Sequence, residues 1–310
     1  MKRQSPGSPQ KGLPGLLAIR KIKAIAGAVR VRRKGSESGM ITSTANPRVK
    51  QLVQWQSEAK ARRRDGVFVA EGIKMLEEAP ADMIREIYLT EELERWLQNS
   101  KSEKEQMLFD KIRQSGYEIF SPEVMKKAAD TKTPQGALAV LERPVYDKEE
   151  LLAVKNGFFL VLEDLQDPGN LGTIIRTGEG AGVNGVFLSK DTVDIFNPKT
   201  IRSTMGSIYR VPFLYVESLT NLIREMKQKE IAIYAAHLKG KDYYDSFSFR
   251  TGCAFLIGNE GKGLCKETAA EADFYLKIPM EGKVESLNAA IAAALLSYEV
   301  HRQRKERRQP

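Results

Sequence analysis

Residues 158–162 read FFLVL, with no polar side chain among them, and Glu163 and Asp164 follow at once. A strand with one face in water alternates apolar and polar residues. A run without alternation suits a strand covered on both faces, as in the parallel sheets of α/β proteins. Runs of the same kind recur at GVFLS (185–189), VPFLYV (211–216), IAIYAA (231–236), CAFLIG (253–258) and FYLKIPM (274–280). Helical segments fit between them, and the last runs from about Leu287 into YEVHRQRKERR. The pattern predicts a parallel α/β sheet covered by helices over residues 146–310. Ligands of such sheets bind outside the carboxyl ends of the strands. The glycine-bearing loops fall at those ends.

The preceding segment, 41–145, has its own rhythm. NPRVKQLVQWQSEAKARRR carries apolar residues at helical spacing and ends in Arg62, Arg63 and Arg64. Strands are expected at GVFVAEG, IREIYLT, YEIF and GALAVLERP. Helices are expected at IKMLEEA, EELERWLQ, KEQMLFDKIRQSG and SPEVMKKAAD. This alternation predicts a small α/β layer domain. Residues 143–156, RPVYDKEELLAVKN, read as the connection to the second domain.

The net charge of +9 sits in the first 39 residues, which hold ten Lys or Arg and one acid. Residues 40–310 hold 39 basic and 39 acidic side chains, so RNA binding must rest on local patches. The segment 1–40 is expected to be a basic, disordered extension outside the fold. Three readings of it are open: an arm for a polyanion, an organelle-targeting segment, or a start assigned upstream of Met40. The last is favoured. No apolar run approaches the roughly 18–20 residues of a membrane span, so a soluble, cytoplasmic protein is expected. Cys253 and Cys265 form no disulfide framework or metal cluster. With only His237 and His301 as imidazoles, a multi-histidine metal site is not expected.

Between two of the buried runs lies a helix with glycines at 172, 178 and 180, a glycine at 182, and a lone Arg176. Each interior glycine costs about 1 kcal/mol relative to alanine. TGEGAG does not fit the G-x-G-x-x-G of dinucleotide folds, and IGNEGKGL lacks the gap and hydroxyl residue of a P-loop. Three unusual strand-end loops remain: residues 170–182, FLIGNEGKGL (255–264) and KIPMEGKVESLNAAIAAALL (277–296).

In order and separation these loops resemble the three signature motifs of the SpoU (TrmH) family of RNA ribose 2′-O-methyltransferases, of the SPOUT class. The first matches as Asn170 with Arg176 and Thr177. The second matches as Gly258, Glu260 and Gly263. The third matches as Ile278-Pro279-Met280, Gly282, Ser286, Leu287 and Asn288. The likeness covers 157–304, and Gly178-Glu179 departs from the smaller residues usual there. Residues 46–142 resemble, more weakly, the ribosomal-protein-like domain that some members place in front to bind RNA.

The resemblance implies a SPOUT-type knotted sheet and S-adenosylmethionine as methyl donor. It implies that the backbone of Gly258, Ile278, Met280 and Leu287 holds the cofactor. Arg176 is implied as the residue that activates the 2′-hydroxyl or orients a substrate phosphate with its bidentate fork. Asn170, Glu260, Ser286 and Asn288 are implied to position the ribose and Arg176. Taken alone, Asn170 and Ser286 stand where helix caps are expected, and Arg176 is placed to pair with Glu179 at i+3. The small residues of NAAIAAALL permit close helix approach, and the family dimerises through this helix and that of the first motif. A homodimer is therefore expected, with no membrane and no metal.

For RNA contact the basic candidates are Arg62, Arg63, Arg64, Lys126, Lys127, Lys132, Arg202, Arg210 and the terminal RQRKERR. The expected activity is methylation of a ribose 2′-hydroxyl in structured RNA, ribosomal RNA ahead of transfer RNA. The alternatives are a non-catalytic RNA-binding or ribosome-assembly factor on the same fold, and an α/β enzyme acting on a small molecule.

Overall fold

The computed structural model describes residues 39–237 and 240–306 of the 310. The basic extension expected over 1–40 lies almost wholly outside the described residues, as do Arg307 and Arg308 of the terminal basic run.

The front half begins with α1 (Pro47–Ser57), where Asn46 accepts from the Arg48 N–H and Pro47 occupies the first turn. The single helix expected to run to Arg64 is broken. Glu58 is extended, and α2 (Ala59–Asp65) starts afresh, ending at Gly66 with φ 67°. Then come β1 (Val67–Glu71), α3 (Ile73–Glu78), β2 (Ile84–Thr90), α4 (Glu91–Asn99), α5 (Glu103–Ser115), β3 (Glu118–Phe120), α6 (Pro122–Ala128) and β4 (Ala137–Glu142). The strands form one sheet in the order β1-β4-β2-β3, with β4 antiparallel to both neighbours and β3 parallel to β2.

The back half continues with α7 (Lys148–Leu152), β5 (Phe158–Leu162), α8 (Pro168–Ala181), β6 (Gly185–Ser189), α9 (Pro198–Thr204), β7 (Phe213–Val216), α10 (Leu219–Gln228), β8 (Ala232–Ala236), β9 (Asp242–Tyr243), β10 (Cys253–Ile257), α11 (Lys266–Ala270), β11 (Phe274–Lys277) and α12 (Ala289–Glu306). The seven strands lie in the order β7-β6-β5-β10-β8-β11-β9, and every pairing is parallel. The expected apolar runs are β5, β6, β7, β8, β10 and β11. The edge strand β9 escaped notice because its two residues are exposed and not apolar. After β11 the chain returns across β8 to lay α12 against α8 and β10. No described helix is long and apolar enough to cross a membrane.

Residues 143–156 are more than a connection. They include α7, and Tyr146, Leu151 and Leu152 are buried in a core shared by both sheets. Across that core the Phe68 ring packs tilted against Phe196 with centroids 4.7 Å apart, the Tyr209 hydroxyl donates to Met75 O at 3.1 Å, and the Arg143 guanidinium lies 4.6 Å above the Phe196 ring. Arg62 joins the halves as well. It is 4% exposed, its Nη1 donates to Trp55 O (2.6 Å) and Gln56 O (3.0 Å), and its Nη2 meets Asp194 Oδ2 at 2.6 Å. The break at Glu58 lets Arg62 turn back onto the open carbonyls at the end of α1.

Candidate active site

Strand register brings two of the three loops side by side. Leu162 of β5 is paired with Ile257 of β10, so residues 163–167 and 258–264 leave the sheet at one level. Asp164 adopts φ 52°, costly for a residue with a side chain. It is held there from two sides: its N–H donates to Ser189 Oγ (2.8 Å), and its carbonyl accepts from Asn259 Nδ2 (2.7 Å). Asn259 also closes the second loop. Its backbone exchanges hydrogen bonds with Gly263 at 3.1 and 2.9 Å, and its Oδ1 accepts from the N–H groups of Gly261 and Lys262. A Cβ on Gly258 would stand 2.2 Å from the Gly263 carbonyl carbon, so glycine is required there by the crossing of the loop over itself.

Glu163, 7% exposed, anchors the far end of this loop. Its carboxylate accepts from the Cys265 N–H at 2.8 Å, the Cys265 thiol at 3.0 Å and the Thr268 hydroxyl.

Side-chain hydrogen bonds tie all three loops together. Glu260 accepts from the backbone N–H of Gln166 and of Asp167, each at 3.1 Å, and from Asn170 Nδ2 at 3.0 Å. Asn170 Oδ1 in turn accepts from Asn288 Nδ2 at 2.9 Å. Burial raises the Glu260 pKa. The hydrogen bonds from Asn170, Gln166 and Asp167 outweigh it, so the carboxyl titrates below its ordinary value.

The caps differ from expectation. Asp167 caps α8 by accepting from the Asn170 N–H at 2.8 Å, with Pro168 next, so Asn170 lies inside the first turn with its amide free for Glu260 and Asn288. At α12 the cap is Asn288, whose Oδ1 accepts from Ala290 N (2.9 Å) and Ile291 N (3.3 Å), and Ser286 is exposed on the loop before it. Asp-Pro before a helix was a legible cap signal for Asp167. Asn259 and Glu163 carried none.

Arg176 is exposed on α8 and makes no ion pair among the described residues. Glu179, its possible i+3 partner, is taken by Arg210. The helix glycines serve packing. A Cβ on Gly172 would meet Ser203 Cβ at 2.4 Å and Thr200 O at 2.7 Å on α9, and one on Gly180 would meet the Tyr298 hydroxyl of α12 at 2.9 Å. Only Gly182, at φ 87°, is needed for its backbone, as the C-cap of α8.

The third loop offers what a purine-bearing cofactor needs. Ile278, Met280 and Leu287 are half-buried apolar side chains, and residues 279–287 make no backbone hydrogen bond among the described residues. Free N–H and carbonyl groups beside apolar surface suit the edge and the faces of an adenine. The residues present therefore fit S-adenosylmethionine.

The RNA candidates separate into two sets. Arg62 is corrected: its guanidinium is buried and spent on Trp55, Gln56 and Asp194. Arg64 pairs with Asp65, Arg202 with Asp130 at 2.7 Å, and Arg210 with Glu78 and Glu179. Arg63, Lys126, Lys127 and Lys132 are exposed and have no ion pair among the described residues.

A parallel sheet whose strand-end loops are hydrogen-bonded together, with an exposed arginine on the helix that follows the first loop, has the architecture of an α/β enzyme. Residues 157–298 match the SpoU rRNA Methylase family and residues 46–139 the MRM3-like substrate binding domain. An uncharacterised tRNA/rRNA methyltransferase of Synechocystis is 34% identical over 272 residues, covering 86% of this chain and 95% of that one. The 23S rRNA (guanosine(2553)-2′-O)-methyltransferase RlmP of Bacillus subtilis is 31% identical, over 83% of this chain and 97% of its own. Among solved structures, the AdoMet-bound rRNA methyltransferase of Sinorhizobium meliloti superposes with TM-score 0.71 at 27% identity, covering 85% of this chain and 97% of that one. The SpoU methyltransferase AviRb of Streptomyces viridochromogenes, in complex with AdoMet, gives 0.72 at 25% identity over 84% and 98%. The chain belongs to the SpoU family of S-adenosylmethionine-dependent RNA 2′-O-methyltransferases.

Proposed function

We propose that this enzyme methylates a ribose 2′-hydroxyl of ribosomal RNA in the cytoplasm, acting as a homodimer through α12. The Asn170–Glu260–Asn288 hydrogen bonds carry the site assignment, because they join the three loops into one pocket wall. The match of the front half to a substrate binding domain and the ribosomal substrate in the name of the Bacillus relative favour ribosomal over transfer RNA.

Bound S-adenosylmethionine supplies a methyl group on a sulfonium. Gly258, Ile278, Met280 and Leu287 hold it through backbone groups and apolar contact. Neither charged residue of the site suits a general base: a guanidinium stays protonated, and Glu260 is held as an anion by three donors with a lowered pKa. Arg176 instead grips the phosphate next to the target ribose with its fork and orients the hydroxyl for in-line attack, and the hydroxyl proton passes to water as the oxygen takes the methyl group. Glu260 and Asn288 fix the Asn170 amide, and Ser286 reaches the ribose from the third loop. Arg63, Arg64, Lys126, Lys127, Lys132, Arg202 and Arg210 meet RNA phosphates further out.

Two observations support the dimer. Ile291, Leu295 and Tyr298, at i, i+4 and i+7 on α12, are 50%, 39% and 50% exposed, an uncovered apolar stripe. Arg176 lies four residues before Gly180, the α8 position that meets Tyr298, so it borders the same stripe. No metal enters this reading.

Labelled-methyl transfer to unmethylated ribosomal RNA tests the assignment. Arg176→Ala should lose transfer by at least about a hundredfold while still binding S-adenosylmethionine. Equal labelling by both proteins would remove Arg176 from the chemistry. Sedimentation should give a dimer at micromolar concentration and a monomer for Leu295→Glu. A monomeric wild type would refute the pairing.

A further inference from the structure

Helix α9 presents two cations three residues apart. Arg202 faces the front half and pairs with Asp130. Lys199 faces the pocket: its Nζ lies 3.2 Å from Asp167 Oδ2, and the side chain is 56% exposed. Asp167 is not a free acid. Its Oδ1 caps α8, and its backbone N–H donates to Glu260. Lys199 is thus one carboxylate away from the residues that link the three loops. An exposed single contact of this kind contributes little, so a phosphate arriving at the pocket can draw the ammonium off Asp167 at little cost.

The route from Lys199 to the front half is built, not loose. Glu71, 7% exposed, accepts from the N–H groups of Asp130 (2.8 Å) and Thr131 (3.2 Å) and from the Thr131 hydroxyl. Gly136 turns the same loop at φ 80°. Lys132 is therefore carried on a pinned loop whose neighbour Asp130 touches Arg202.

We propose that Lys199 binds an RNA phosphate at the rim of the methyl-transfer pocket, and that Lys132, Arg202 and Lys199 mark the path of the RNA strand across α9 to Arg176. The assignment of Lys199 rests on the ribose-methylation reading and names a contact that reading leaves open. A preordered row of cations costs less to engage than flexible ones.

The test uses the full-length enzyme with ribosomal RNA transcribed in vitro. RNA affinity is measured by filter binding from low to high salt, and cofactor affinity by calorimetry with S-adenosylmethionine. Lys199→Ala should weaken RNA binding about fivefold and flatten the slope of log affinity against log salt by about 0.7–0.9, the loss of one phosphate contact. Cofactor affinity should not change, and Lys199→Arg should restore RNA binding. Asp167→Asn keeps a capping oxygen and releases the lysine, so RNA binding should be equal or tighter. Wild-type affinity and slope in Lys199→Ala would overturn the proposal. So would Asp167→Asn reproducing the Lys199→Ala loss, which would make the lysine a servant of the cap. An equal loss of cofactor binding would assign Lys199 to the pocket's shape instead. If the wild type binds this RNA but transfers no methyl to it, the methylation reading itself fails.

Discussion

Replacing Glu163 with alanine tests how the 258–265 loop, proposed to hold the cofactor, is kept in place. The carboxylate is buried and receives the Cys265 N–H, the Cys265 thiol and the Thr268 hydroxyl. Each buried donor left without an acceptor costs about 1–3 kcal/mol, which gives a range of ~2–6 kcal/mol for the N–H and the hydroxyl together. The hydroxyl can rotate to another acceptor and the loop can open to water, so the lower part of that range, ~2–3 kcal/mol, is the better expectation. Paid locally, this appears as an open 258–265 loop and as roughly 30- to 150-fold weaker cofactor binding. Glu163→Gln should lose much less. Its amide oxygen keeps the Cys265 N–H, and its NH2 meets the Thr268 oxygen. Calorimetry with S-adenosylmethionine on the wild type and both variants, with thermal melting as the check on folding, reads the ladder directly. A folded Glu163→Ala protein that binds the cofactor within twofold of wild type would refute the idea that this buried acid holds the loop.

Gly172→Ala should lower stability by up to about 2 kcal/mol, because overpacking against Ser203 and Thr200 (~1–3 kcal/mol) offsets or exceeds the helix-propensity gain of about 1. Gly180→Ala should be neutral or stabilising, since only the movable end of Tyr298 stands in its way; urea denaturation compares the two. Arg62→Ala should destabilise the enzyme by roughly 3–5 kcal/mol, leaving Asp194 without its buried partner, rather than weakening RNA binding selectively; a normal melting temperature with lost RNA affinity would contradict this. Burial pushes the Cys253 thiol up to about 12, and burial with the neighbouring Glu163 raises Cys265. A raised thiol pKa means less thiolate at neutral pH. Iodoacetamide should therefore modify only exposed Cys265 in the native state, slowly near pH 7 and faster as pH climbs beyond 9, with Cys253 reacting only after unfolding. Early labelling of Cys253 would count against the fold.

The strands were legible because burial on both faces leaves a composition with little room for polar residues. FFLVL, GVFLS and CAFLI are β5, β6 and β10. The dipeptide-sized β9 had no such mark, and the break at Glu58 depends on Arg62 finding carbonyls seven and six residues behind it. At the site, Asn170, Glu260 and Asn288 could be named from the resemblance of their motifs to those of the SpoU family, yet their mutual hydrogen bonds span 90 and 118 residues and arise only from register. The glycines had a packing duty that the sequence did not show: at Gly172 and Gly258 the missing side chain admits other parts of the chain. Basic residues were the least readable. Whether Arg62 or Lys132 is free depends on acids that the fold brings from elsewhere.

The core shared by the two sheets has a consequence for target choice. With Phe68 on Phe196 and Arg62 locked to Asp194, the front half cannot swing relative to the pocket without opening apolar surface to water. On the proposed function the enzyme would work like a fixed caliper: the span between its two jaws, set once during folding, would pick out which nucleotide on a docked RNA reaches the methyl group. Retargeting it to a neighbouring nucleotide would require rebuilding the hinge-side packing, not merely repainting the surface charges.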